Sequence, residues 1–168
     1  GTANGGSALM WASLMHLYGI AHGRVLTLDV ADPTWDASTV HWGGIPRQDA
    51  TKHELWKKHV TFIKGDSIGP ATMSKVKEAA AGAKTVMVLL DSNHGEKYVD
   101  LEMRALCPLV TVGSYCIVED TKLSRWSSDG PLPSARRYVE QSDGAWETDR
   151  ERELVFTHHA MGYLLRKK

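Results

Sequence analysis

The stretch Val86-Met87-Val88-Leu89-Leu90-Asp91-Ser92-Asn93-His94 decides how the rest of the chain is read. Five apolar residues, four of them branched, run straight into an acid and a polar turn. This pattern predicts a strand that is apolar on both faces, as a parallel sheet requires. In open α/β sheets ligands sit beyond the carboxyl ends of the strands, so Asp91 and His94 stand where chemistry is done. A second apolar run, Tyr115-Cys116-Ile117-Val118, releases Glu119 and Asp120 in the same way. Two neighbouring strands that deliver Asp91, Glu119 and Asp120 to one edge make a site for a hard cation or for acid/base chemistry. The plain alternative, acids that only cap the following turn or helix, stays open on the sequence alone.

Working outward, the chain opens GTANGGSALMWASLMHLYGI. Glycines at 1, 5 and 6 precede a helix whose apolar stripe is expected at Leu9, Met10, Leu14, Leu17 and Tyr18, with Ser7 as N-cap and Gly19 as C-cap. A glycine turn before a helix lets a ligand approach backbone amides at the positive helix end, although many such turns are only tight connections. A strand should feed this turn, and residue 1 already lies in it, so the first strand of the sheet is expected to precede residue 1. Arg24–Val30 reads as a strand ending on Asp29, an acid placed to bond a ribose hydroxyl. Val60–Ile63 reads as a strand followed by Asp66 and Ser67. A helix is expected from Pro70 to Ala81, with Met73, Val76, Ala79 and Ala80 inward, and another over Glu96–Leu106, stopped by Pro108.

Residues 31–59 hold Pro33, Pro46, a Gly43-Gly44 pair and Trp35, Trp42 and Trp56. They are long for a connector and read as an insert or lid, with a short helix over Asp49–His59. Thr121–Pro133 reads as a mobile loop near the acids, Ser134–Gln141 as a helix, and Trp146–Phe156 with Met161–Leu165 as an antiparallel edge hairpin. Alternation of strands and helices implies a single α/β domain over residues 1–168. Its Rossmann-like, doubly wound, mostly parallel sheet closes on that antiparallel hairpin.

Composition limits the function classes. The chain has 168 residues with 20 basic and 20 acidic side chains, so no basic field argues for nucleic acid. No apolar run reaches the ~18 residues of a membrane span. Cys107 and Cys116 sit in apolar surroundings and read as buried free thiols, which points to a reducing, cytoplasmic setting. His158-His159 reads as an exposed pair in a hairpin turn. No CxxC, HExxH or GxSxG motif supports zinc or serine-hydrolase chemistry.

The motifs GTANGGSALMW, RVLTLDV, IKGDS, VLLDSNH, LVTVGSYCIVEDT, GPLPSARRYVEQ, WETD and MGYLLR, in that order, resemble the cephalosporin hydroxylase family. That family is a group of class I S-adenosylmethionine-dependent methyltransferases related to rhamnosyl and macrolide-sugar O-methyltransferases. The resemblance implies that Gly1, Asn4, Gly5, Gly6 and Ser7 wrap the methionine part of S-adenosylmethionine, with Asp91 also near that cofactor. It implies that Asp29 bonds the ribose and that Asp66 and Ser67 flank the adenine. It implies Mg²⁺ at Asp91, Glu119 and Asp120, and a catalytic base at His94. The acid that ends the family's first strand is not among these residues. The substrate implied is a hydroxylated small molecule, a sugar or other natural product, shaped against residues 31–59 and 121–133, and a homo-oligomer stays open. Two other readings fit the residues alone: a nicotinamide-dependent oxidoreductase, since a glycine turn plus Asp29 suits that cofactor, and a non-enzymatic binding module.

Overall fold

A computed structural model describes residues 1–30, 47–153 and 157–168. The described residues form two compact units, Gly1–Val76 and Lys77–Lys168. Most of the expected insert, residues 31–46 with Trp35 and Trp42, lies outside the described residues, as do residues 154–156 of the first strand expected for the hairpin.

The first unit holds helix α1 (Gly6–Leu17), strand β1 (Val25–Asp29), helices α2 (Arg47–Lys52) and α3 (Glu54–His59), strand β2 (Val60–Lys64) and most of helix α4 (Pro70–Ala80). Strands β1 and β2 pair in parallel, from Val25 opposite Val60 to Asp29 opposite Lys64. The single helix expected over Asp49–His59 is two, because the His53 ring accepts the Leu55 amide at 3.1 Å and caps a fresh start there. Trp56 of this segment is core: it packs with Ala8 and Ala50, against Leu9, Val25 and Val60.

That packing corrects two expectations for α1. The buried face is Ala8 and Ala12, while Met10, Leu17 and Tyr18 stand 50%, 78% and 79% exposed. Small residues win the inner face because the indole of Trp56 already fills it. The helix also starts earlier than expected: Gly5, not Ser7, is the N-cap, at φ 80°. A Cβ on Gly5 would stand 2.8 Å from the Trp56 ring, so both the backbone conformation and the space demand glycine. Gly5→Ala is therefore expected to cost at least about 2 kcal/mol, from left-handed strain plus overpacking, read as a lower urea midpoint. An unchanged midpoint would show that the turn relaxes freely. At the other end Tyr18, not Gly19, is the C-cap; Gly19 follows it at φ 67°, the left-handed position that glycine favours just past a helix, and its amide donates to the His16 carbonyl.

The second unit carries strand β3 (Val88–Leu90), helix α5 (Glu96–Leu106), strand β4 (Tyr115–Val118), helix α6 (Pro131–Glu140) and strands β5 (Trp146–Thr148) and β6 (Tyr163–Arg166). The sheet order is β3-β4-β6-β5, with β3 and β4 parallel and β6 antiparallel to both β4 and β5. The mixed sheet and closing antiparallel pair are those expected. The strand expected over Val86–Leu90 is shorter and less covered: only Leu90 is fully buried and Met87 is 41% exposed. Among the described residues β3 has one sheet partner, β4, and Val86 instead exchanges bonds with Thr111.

Helix α5 buries Val99, Met103 and Leu106 as the spacing predicts, and also Glu102. In α4, Thr72, Met73 and Val76 are buried, but Ala79 is exposed and Ala80 only half-buried. The loop expected over Thr121–Pro133 is partly regular. It holds a 3₁₀ turn at Thr121–Arg125, and α6 begins at Pro131, where a missing N–H costs nothing. Cys107 and Cys116 are not free thiols: they form a disulfide, with Cα atoms 5.7 Å apart. The turn after α5 folds Cys107 back onto the middle of β4, so two cysteines nine residues apart meet in the core. The pairing removes the argument for a reducing compartment. Among the described residues no helix is long and apolar enough to cross a membrane.

Candidate active site

In the first unit, the parallel register of β1 and β2 brings the expected cofactor residues to one sheet edge. The Gly65 amide donates to the Asp29 carbonyl at 2.8 Å, so Asp66 and Ser67 leave the sheet beside Asp29. Asp29 Oδ2 accepts the amides of Thr2 and Ala3, each at 3.0 Å, and the Thr2 and Thr27 hydroxyls meet at 2.8 Å. The acid read as a ribose ligand thus also fastens the glycine turn to β1. Asp66 closes its own turn by accepting the Ile68 amide at 3.1 Å, and Ser67 is buried. Gly1, Asn4, Gly5, Gly6 and Ser7 stand at the amide-rich start of α1, whose first turn has no acidic residue to occupy it.

In the second unit, β3 and β4 run parallel with Leu90 opposite Val118, so Asp91 and Glu119 leave the sheet side by side. The Glu119 amide donates to the Leu90 carbonyl at 3.0 Å and holds that spacing. Consecutive strand residues point to opposite faces, so Glu119 and Asp120 would ordinarily diverge. Asp120 avoids this by turning left-handed, at φ 52°. Its carboxylate then joins Asp91 and His94 in a group whose potential ligand atoms all lie within 4.8 Å of one another. His94 Nε2 is 3.7 Å from a carboxylate oxygen of each acid. The DSNH turn is set by its neighbours: the Ser92 hydroxyl donates to buried Glu102 at 2.7 Å, and Asn93 accepts the Gly95 amide at 2.9 Å.

Glu119 is outside that close group but feels it. Burial, then the charges of Asp91 and Asp120, push its carboxyl up to about 7. Clustered acids with a proton retained at neutral pH are what a divalent cation would relieve, and the oxygen donors suit a hard ion such as Mg²⁺. His158 and His159 differ from the exposed pair expected. His158 is exposed, 3.8 Å from Asp120 and 2.6 Å from Lys122 Nζ, but His159 is half-buried and its Nδ1 accepts the Asp120 amide at 3.1 Å. Burial holds the His159 imidazole below its usual range, against the opposing charge of Asp120, which favours the neutral ring that can accept this bond. Sequence reasoning missed His159 and Glu102. Only their apolar settings hinted at them, Glu102 one place before the inward Met103 and His159 close before the β6 run.

Strands with α-helical crossovers, ending on acids at their carboxyl edge, define a Rossmann-like α/β fold. In agreement, the MycE methyltransferase of the mycinamycin biosynthetic pathway, solved with Mg and SAH, superposes with a TM-score of 0.51 at 15% identity, over 95% of this chain and 49% of that one. More particularly, residues 1–167 match the family model "Rhamnosyl O-methyltransferase/CmcI", and the chain belongs to that family. A rhamnosyl O-methyltransferase of Mycobacterium leprae (strain TN) is 30% identical over 176 residues, 99% of this chain and 69% of the relative. One from Mycobacterium bovis (strain BCG / Pasteur 1173P2) is 28% identical over 99% of this chain and 64% of its own length. The chain thus spans about two thirds of these relatives and about half of MycE.

Proposed function

We propose that the chain is the methyltransferase domain, over residues 1–168, of an enzyme that transfers a methyl group from S-adenosylmethionine to a hydroxyl of a sugar or sugar-bearing natural product, with Mg²⁺. The observation that carries the proposal is the convergence of Asp91, His94 and Asp120 at the ends of two parallel strands in a chain of this family. Asp91, Asp120 and Glu119 hold the cation. The glycine turn, Asp29, Asp66 and Ser67 hold the methyl donor. Residues 31–59 and the 121–133 segment are assigned to the acceptor. A cytoplasmic location goes with this reading, in which the donor comes from the cell's own metabolism.

An alcohol is a poor nucleophile while it keeps its proton. The bound ion supplies a lowered pKa to a hydroxyl beside it, and the methyl donor supplies a good leaving group. His94 is the base that takes that proton in this reading, supported by its Nε2 lying 3.7 Å from a carboxylate oxygen of each acid; general-base help of this kind is worth ~10²–10⁴ in rate. Positioning of donor and acceptor in line supplies much of the rest.

Calorimetric titration with S-adenosylhomocysteine and with NADH, followed by a labelled-methyl assay on rhamnosyl acceptors, tests the proposal. Binding of NADH in place of S-adenosylhomocysteine would transfer the chain to the nicotinamide reading. Binding of neither would favour a non-catalytic module.

Glu119 makes the cation step pH-dependent. Its folded pKa of about 7 lies above the ordinary 4.5, so the cation-free fold keeps a proton that the unfolded chain releases. That contribution to stability is fully present below pH 4.5 and is lost as pH rises through about 7. A cation that binds Glu119 must displace the same proton. Mg²⁺ affinity should therefore tighten as pH rises, by up to about tenfold per unit below pH 7, and level off above. Affinity that stays flat between about pH 5.5 and 8.5 would remove Glu119 from the coordination sphere.

A further inference from the structure

Segment 158–162 runs alongside segment 118–122 and is tied to it by successive hydrogen bonds. The Val118 amide donates to the Gly162 carbonyl at 2.9 Å and the Lys122 amide to the His158 carbonyl at 3.2 Å. The Thr121 hydroxyl donates to the Ala160 carbonyl at 2.7 Å. Those acceptors are main-chain carbonyls, which many side chains at 158 and 160 would leave intact. Gly162 is there for room, since a Cβ would collide with the Val118 carbonyl. The remaining bond is different in kind: the Asp120 amide donates to a side-chain atom, Nδ1 of His159, at 3.1 Å. It falls on the one residue of the acidic group whose backbone is left-handed.

A left-handed non-glycine residue costs on the order of 1–3 kcal/mol and persists only where its surroundings hold it there. Relaxed to an extended conformation, Asp120 would turn its carboxylate away from Asp91. The His159 ring is itself held, edge-on to Tyr163 with centroids 6.0 Å apart. We infer that His159 is a positioning residue: by accepting the Asp120 amide at Nδ1 it holds Asp120 in the conformation that brings its carboxylate to Asp91 and His94. This rests on the reading of Asp91 and Asp120 as cation ligands. His159 acts through Asp120 and is not itself a ligand. Residues that orient metal ligands in this way typically change metal affinity by about 10–100-fold when removed.

The test uses Mn²⁺ as a paramagnetic probe, with free ion counted by electron paramagnetic resonance, on the whole 168-residue chain. His159→Ala should bind Mn²⁺ about 10–100-fold more weakly than wild type, with S-adenosylhomocysteine affinity unchanged. His159→Asn should recover to within about threefold, because its Oδ1 stands where Nδ1 stood and accepts the same amide, whereas His159→Gln carries its carbonyl one bond farther out and should stay weak. Wild-type binding matched by His159→Ala, or His159→Asn no better than His159→Gln, overturns this inference alone. A wild-type chain that holds no Mn²⁺ overturns the cation reading and this inference with it. Should His159→Ala not fold, the Asn and Gln variants decide; if only His159→Asn folds, the bond to the Asp120 amide serves the fold rather than the carboxylate, and the inference falls.

Discussion

Replacing Asp91 or Asp120 with alanine is expected to lower methyl transfer by about 10²–10⁴-fold while S-adenosylhomocysteine binding largely survives. The size follows from the job assigned to the pair. Lewis-acid help to a developing alkoxide is worth several kcal/mol, and each 1.36 kcal/mol is tenfold in rate. The two acids sit with His94 in one group within 4.8 Å, at the carboxyl edge of paired strands β3 and β4, so on the proposed reading loss of either would open the cation's coordination. Removing the cation from wild type with a chelator should reproduce the drop, and the chelator should then do little to either variant. Asp120→Ala is the cleaner of the two for the cofactor readout, because Asp91 is also expected near the methyl donor. Full activity in either variant with chelator present would end the metal role.

His94→Ala is expected to lower kcat by about 10²–10⁴-fold with Mg²⁺ affinity changed by less than about threefold. The imidazole Nε2 lies 3.7 Å from both Asp91 and Asp120, a distance that suits a base working beside a cation held by those acids. Oxygen donors suit Mg²⁺ better than a ring nitrogen does, which argues for a base rather than a ligand. The split between kcat and cation affinity separates the roles. A tenfold or larger loss of affinity would reassign His94 to the coordination sphere, and an unchanged kcat would remove it from the chemistry.

Much of this arrangement is legible in the residues. Apolar runs that end on Asp29, Asp91 and Glu119 give away the strands and their carboxyl ends, because each is short, rich in branched residues and bounded by polar turn residues, which favours a strand over a buried helix. Helix α5 is bounded by its own residues and keeps its inward face. The face of α1 is not legible, because periodicity marks where apolar residues recur, not which neighbour arrives. The bulk of Trp56, more than forty residues away in the chain, selects Ala8. Cys107 and Cys116 escape a sequence reading for a similar reason: their pairing depends on where the turn after α5 lands against β4.

By itself the sequence determined the order of strands and helices and the residue types gathered at the strand ends, which are local properties carried by spacing and side-chain chemistry, while its motifs carried the resemblance to the family. Only the tertiary structure decided that Asp120, next in line after Glu119, turns left-handed and joins Asp91 and His94. It also decided that His159, 39 residues further along, is the group that receives the Asp120 amide. Both outcomes depend on the β6 side of the sheet lying against the end of β4, a long-range contact that no pattern within either segment encodes.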